Sequence, residues 1–225
     1  MTRAVLFDTE TTGLEAHLGH RIIEVAALEL VNDLSTGKHF HALINPGRDI
    51  PEEATRVHGF TAAHLSDKPA FDAIAPDLLA FFGDGKLIAH NARFDFAFLN
   101  AEFALCGHPG LDTARMVDTL ELAQKRFPGM PNSLDALCRR FGIDLSARTT
   151  HNALLDCKLL AEVYLELTGG RQRGLRLEAQ RSTGRVLAYT FAGTRQPRPI
   201  VPTAAEAAAH DVFLGRLKEP LWRRE

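Results

Sequence analysis

The chain has 225 residues, 45% of them hydrophobic and 24% charged, which is ordinary for a soluble globular protein and enough for one well-buried domain with an appendage. The formal charge of -2 divides unevenly: residues 1–168 hold 15 Lys and Arg against 23 Asp and Glu, and residues 169–225 hold 11 against 5. So acidic a body is a poor general binder of duplex DNA, so any nucleic-acid chemistry must sit at a local, metal-neutralised site.

The first predicted element is a strand over 5–10, within "VLFDTETTGL". Val5, Leu6 and Phe7 are apolar on both faces, as in a central strand covered from both sides. Side chains at i and i+2 share a face, so Asp8 and Glu10 project together. At roughly 6.5 Å and an effective dielectric near 20 they repel by about 2.5 kcal/mol. A cation between them, or a proton on one, is required.

"RIIEVAALELV" (21–31) and "KHFHALIN" (38–45) follow as strands, with "NDLSTG" between them as a hairpin turn. From residue 51 the pattern becomes helical. "PEEATRVHGF" opens with proline and two acids, and "FDAIAPDLLAFFG" (71–83) ends on glycine. "KLIAHN" (86–91) is a short buried strand, and "ARFDFAFLNAEFALCG" (92–107) a helix. "MVDTLELAQKRF" (116–127) holds a brief strand and a helix, and "NSLDALCRRFG" (132–142) a capped helix. "HNALLDCKLLAEVYLELTGG" (151–170) is a long amphipathic helix stopped by two glycines. Strand hairpins followed by alternating helices and strands indicate an α/β domain with a mixed sheet. Past Gly170 the composition shifts to Arg, Gln, Gly and Pro, before a small helix over "TAAEAAAHDVFLGRLK" (203–218). No run is apolar enough to span a membrane, and the first strand leaves no room for a signal peptide. Cys106, Cys138 and Cys157 are far apart without a C-x-x-C pair, which fits reduced thiols in the cytoplasm.

If Asp8 and Glu10 hold a divalent cation, further hard oxygen ligands are needed. Asp95 lies among Phe94, Phe96, Phe98 and Leu99, and Asp156 among Leu154, Leu155, Leu159 and Leu160. Either acid alone is as well explained by a cap or an ion pair; together with the strand pair they suggest a cluster. His151 precedes Asp156 by five residues, about 140° round a helix, so it belongs in the loop leading into the helix with Asp156 one turn inside. A histidine there can approach a metal-bound water as general base without being a ligand. Taken alone it reads as a surface histidine.

"FDTETTGL", "HNARFDFAFL" and "HNALLDC" resemble, in order and spacing, the three motifs of DEDD-type 3′→5′ exonucleases with H-x(4)-D as the third. The likeness continues through "RIIEVAALELV", "VHGF" and "FPGMPNSLDALCRRFGID", and over essentially residues 3–170 the chain resembles the proofreading epsilon subunits of bacterial DNA polymerase III. The resemblance implies a ribonuclease H-like fold: a mixed five-stranded sheet flanked by helices, with a flexible C-terminal tail. It implies that Asp8, Glu10, Asp95 and Asp156 hold two Mg²⁺ or Mn²⁺ ions around the scissile phosphate. His151 would take a proton from the attacking water. The substrate would be a single-stranded 3′ end of DNA, released as nucleoside 5′-monophosphates. Glu53 and His58 match positions that contact the terminal nucleotide, though a first-turn acid and a turn residue would look the same. Asn152 and Cys157 depart from enteric relatives, which have small residues there.

The domains expected are an exonuclease domain over 1–170, a linker over 171–202 and a polymerase-docking segment over 203–225. "QRGLRL" (172–177) fits a sliding-clamp-binding pattern, with Gln172 and the apolar anchors Leu175 and Leu177. The segment from 203 resembles the one that docks on the polymerase III alpha subunit, with the sole tryptophan, Trp222, as anchor. Two rivals stay open: a free-standing exonuclease acting on RNA or short oligonucleotides, and a silent module using the acids for structural calcium.

Overall fold

Val5, Leu6 and Phe7 are fully buried in the computed structural model, which describes residues 2–148, 150–169 and 201–218. They lie on β1 (Arg3–Thr11), the middle strand of a five-stranded sheet. The sheet order is β3-β2-β1-β4-β5, with β2 (Ile22–Val31), β3 (Leu34–Leu43), β4 (Lys86–Ala89) and β5 (Met116–Asp118). β1, β2 and β3 pair antiparallel, whereas β4 is parallel to β1 and β5 to β4.

Alternation along β1 and β2 builds two cores. Val5, Phe7, Val25 and Ala27 pack with Phe71, Leu78 and Phe82 of α3 (Phe71–Phe82) and Phe96 and Phe103 of α4 (Ala92–Leu105). Leu6, Ala26 and Leu28 meet Leu137 of α6 (Leu134–Phe141) and Ala153, Leu160 and Val163 of α7 (Ala153–Leu167) on the other face. Two short helices, α1 (Glu52–His58) and α2 (Ala62–Leu65), precede α3, and α5 (Thr119–Arg126) follows β5. This is the mixed sheet flanked by helices that the sequence implies.

The hairpin differs from the expectation. Its turn is only Asn32 and Asp33, both with positive φ (53° and 66°), and β3 begins at Leu34 rather than Lys38. Two residues with positive φ match the twist of a hairpin, so the ladder starts at once, with Val31 opposite Leu34. The register shift between Leu28 and Leu30 absorbs the irregularity near Gly37. Residues 34–39 are an exposed edge, without the apolar alternation that marks a strand. Among the described residues no helix is long and apolar enough to cross a membrane.

The C-terminal segment belongs to a separate compact unit. Its helix α8 (Ala204–Leu214) starts with a capping box between Thr203 and Glu206 and leaves Val212 and Phe213 exposed.

Candidate active site

β1 outruns its parallel neighbour. The last β1–β4 pair is Leu6 with Ile88, so Asp8 and Glu10 extend past it at the carboxyl ends of the parallel strands, where open α/β sheets form their binding crevices. Glu10 is paired across the antiparallel ladder with a second acid, Glu24. The chain leaves β4 through His90 and Asn91 (φ 64°) and turns into α4. Asp118, at the end of β5, fixes that turn: its carboxylate accepts from the backbone N–H groups of Asn91 (3.0 Å), Ala92 (3.1 Å) and Leu120 (2.8 Å). Asp95 is thereby set in the first turn of α4, 3% exposed, where it accepts a 2.7 Å hydrogen bond from Thr9 Oγ1.

The third contribution comes from α7. Asn152 caps it, its side chain accepting from Leu155 N–H at 3.0 Å, so His151 lies in the loop just before the helix and Asp156 in its first turn. His151 N–H is bonded to Val57 O of α1 at 3.2 Å. Arg148 forks onto Asp156, with Nε 2.6 Å from Oδ1 and Nη2 2.7 Å from Oδ2. The same guanidinium donates to Asp135 Oδ1 (2.6 Å) and to His151 Nδ1 (3.0 Å). An arginine only donates, so this contact requires the lone pair of His151 to lie on Nδ1. Nδ1 is also 3.5 Å from Asp156 Oδ2, so it is the ring nitrogen turned towards the acids.

Asp8, Glu10, Asp95, His151 and Asp156 all line one cleft of about 600 Å³. Ligand atoms of Glu10, His151 and Asp156 lie within 4.8 Å of one another; Asp8 and Asp95 line the same cleft outside that tightest group. Among the described residues Arg148 is the only Lys or Arg in the lining. Burial, followed by the charges of Asp95, Glu10, Asp156 and Glu24, pushes the Asp8 carboxyl well above the usual range. Burial and then Glu24 drive Glu10 up to about 8, against a small opposing pull from Arg148. Burial likewise raises Asp95 to about 7, although the Thr9 hydrogen bond favours the carboxylate. The repulsion read from the sequence is therefore met partly by protons and partly by Arg148.

A second cleft of about 490 Å³ shares Thr9, Glu10 and Phe94 with the first. His58 and Glu53 both line it. His58 is 4% exposed; its Nδ1 accepts from Phe60 N–H at 3.0 Å and its Nε2 has no hydrogen-bond partner. Because Nδ1 accepts, the proton of the neutral ring sits on Nε2, a buried donor, and burial lowers the pKa of the ring. Glu53 is exposed, in the first turn of α1. Gln172, Leu175, Leu177 and Trp222 lie outside the described residues.

The donor set fits hard divalent cations. Among the described residues the cleft offers clustered carboxylates and no thiol, the chemistry of Mg²⁺ and Mn²⁺ sites. The raised carboxyl groups are those a bound cation would return to the charged form. Three supporting residues were not singled out in the sequence. They are Arg148, Glu24 and Asp118, none of which lies in a motif or carries a periodic signal.

A sequence model described as an exonuclease family matches residues 5–164. The chain is 45% identical over 221 residues to the DNA polymerase III subunit epsilon of Rickettsia conorii, covering 96% of each. It is 40% identical over 238 residues to the Escherichia coli protein of that name, covering 99% of this chain and 98% of the other. Among solved structures, exonuclease X in complex with 5′ overhanging duplex DNA aligns with a TM-score of 0.59 at 27% identity, over 75% of this chain and 91% of that one. An E. coli exonuclease I–single-stranded DNA complex aligns with a TM-score of 0.65 at 19% identity, over 76% and 41%, a likeness of fold alone.

Proposed function

From the premise that the chain belongs to the exonuclease family, and within it to the epsilon subunits of DNA polymerase III, we infer that it is the 3′→5′ proofreading exonuclease of a replicative polymerase. It hydrolyses 3′-terminal phosphodiester bonds of DNA and releases nucleoside 5′-monophosphates. One observation carries this reading. Acids from β1, α4 and α7 and a histidine from the loop before α7, distant in sequence, line a single cleft.

Asp8, Glu10, Asp95 and Asp156 would hold two divalent cations, Mg²⁺ or Mn²⁺, which when bound supply charge stabilisation to the attacking and leaving oxygens of an in-line displacement. The rest falls to the chain. His151 accepts the proton of the attacking water at Nδ1, the nitrogen turned towards the acids, after Arg148 Nη2 gives up its contact there. Arg148 stays tied to Asp135 and keeps a positive charge in the lining of a cleft rich in acids. The adjoining cleft takes the terminal nucleotide, with His58 Nε2–H as donor and Glu53 at its rim.

The remaining residues serve assembly. Residues 1–170 form the nuclease, 171–202 a linker with a clamp-binding peptide at Gln172, Leu175 and Leu177, and 203–225 a segment docking on the alpha subunit through Trp222. Exposed Val212 and Phe213 on α8 support that use. The test uses a single-stranded oligonucleotide with Mg²⁺ or Mn²⁺. Mononucleotides should be released one by one from its 3′ end, and an Asp8→Ala variant that still hydrolyses it would exclude the assignment. Deleting residues 171–225 should leave that activity intact and remove co-purification with the polymerase subunit. Retained co-purification would refute the docking role.

A further inference from the structure

Glu24 is 0% exposed, on β2 directly across from Glu10, in a region already crowded with acids. A carboxylate so placed needs strong partners. It has three. Oε1 meets His41 Nε2 at 2.7 Å and accepts from Asn152 Nδ2 at 3.1 Å, and Oε2 accepts from Ala153 N–H at 3.1 Å. Two of these belong to the start of α7. The Asn152 amide is used at both ends: its oxygen caps the helix at Leu155 N–H, and its NH₂ group bridges to the strand. Asn152 stands directly after His151 and four residues before Asp156. The bridge thus joins the strand opposite Glu10 to the segment carrying the other two members of the tight Glu10–His151–Asp156 group.

We propose that Glu24 and Asn152 are a positioning pair, which locks the start of α7 against β2 and so holds His151 and Asp156 at Glu10. A helix slipped by one residue rises 1.5 Å and turns Asp156 by about 100°, out of the cleft. Helix capping alone does not explain the choice of residue, because Ser or Asp caps as well. Asparagine adds the donor that Glu24 requires. The proposal rests on the exonuclease reading of the same site.

Reversing the pair tests it. E24Q places an amide donor against the Asn152 donor, and N152D places two carboxylates face to face. In E24Q/N152D every bond can reform: the new amide donates one hydrogen to the new carboxylate and the other to His41 Nε2, once that ring carries its proton on Nδ1, its oxygen accepts from Ala153 N–H, and the helix keeps an acidic cap. Wild type, both single variants and the double variant are compared as full-length proteins on a single-stranded oligonucleotide with Mg²⁺, below the unfolding temperature of each. Each single variant should lose about 10- to 100-fold in kcat, the cost of misplaced catalytic groups, with KM nearly unchanged. The double variant should recover most of it, a coupling that independent sites do not show.

Single variants that unfold at lower temperature but turn over at the wild-type rate would overturn the proposal, as would a double variant no faster than the worse single. If E24Q does not fold, N152G carries the same test, because Gly is nearly as good an N-cap while removing the bridge. Unchanged kcat in N152G overturns the pair. A wild-type chain that leaves the oligonucleotide intact overturns the exonuclease reading and the pair together, whereas an active wild type with indifferent variants overturns the pair alone.

Discussion

Asp8 and Glu10 reach the cleft from a strand whose backbone is laddered to β2 along its length and to β4 over its first half. Asp156 and His151 reach it from a helix start and the loop before it, held by side chains: the Arg148 fork, the Asn152 cap and the Glu24 bridge. One backbone bond, from His151 N–H to Val57 O, helps to hold that loop. The strand acids are therefore placed by peptide hydrogen bonds that no side-chain change removes. The loop half is placed by a few polar contacts, each of which one substitution can break. In the proposed reading, fixed charges suit groups that hold cations, whereas a half-exposed base on a loop is free to adjust to its water.

The largest effect should come from the strand half. If Glu10 holds a cation as proposed, Glu10→Ala removes that ligand without disturbing the ladder, so kcat should fall by more than about 10⁴-fold, beyond the usual cost of losing a general base. The melting temperature should fall little or rise, because a repelled buried acid is gone. A large loss of stability would show that Glu10 is held for the fold and would undo the contrast.

His151→Ala comes next. It should cost about 10² to 10⁴ in kcat and leave binding of Mn²⁺, followed by its electron paramagnetic resonance, close to wild type. Loss of Mn²⁺ binding would make His151 a ligand and move it into the fixed half.

Arg148→Gln acts through stability. It strips the guanidinium from Asp156, which is 4% exposed, and breaking such a pair costs about 3 kcal/mol. In EDTA the melting temperature should drop accordingly, and Mg²⁺ should restore much of it by taking over the carboxylate. A drop that Mg²⁺ leaves untouched would show that Arg148 and the cation do not share Asp156.

A further effect concerns pH. Glu10 and Asp95 are raised to about 8 and about 7, mainly by burial, so without divalent cations both favour the fold when protonated. Their contribution is whole below the ordinary carboxylate range near 4 and is lost as pH rises through about 7 and 8. In EDTA the melting temperature should therefore decline from about pH 5 to pH 8, and the decline should shrink in Mg²⁺. A flat profile in EDTA would mean that the cleft does not penalise its charges.

The sequence by itself determined most of the elements and which residues could share a site. Val5–Phe7 read as a central strand, Asp8 and Glu10 had to share a face of it, and the spacing of His151 and Asp156 put the first in a loop and the second on a helix, because periods of 2 and 3.6 are local properties of the backbone. It missed the start of β3, whose polar edge residues bury nothing and so carry no pattern, and the two-residue turn at Asn32 and Asp33. It had no means of finding Arg148 on Asp156, Asp118 across two helix starts, or Glu24 beneath the start of α7, bonds that span 8, 26 and 129 residues. Such partners are chosen by proximity after the chain has folded, and a polar side chain looks the same in a sequence whether it ends in water or against a buried charge. Tertiary structure alone decides that, because burial is what turns an ordinary acid or arginine into one that must be answered.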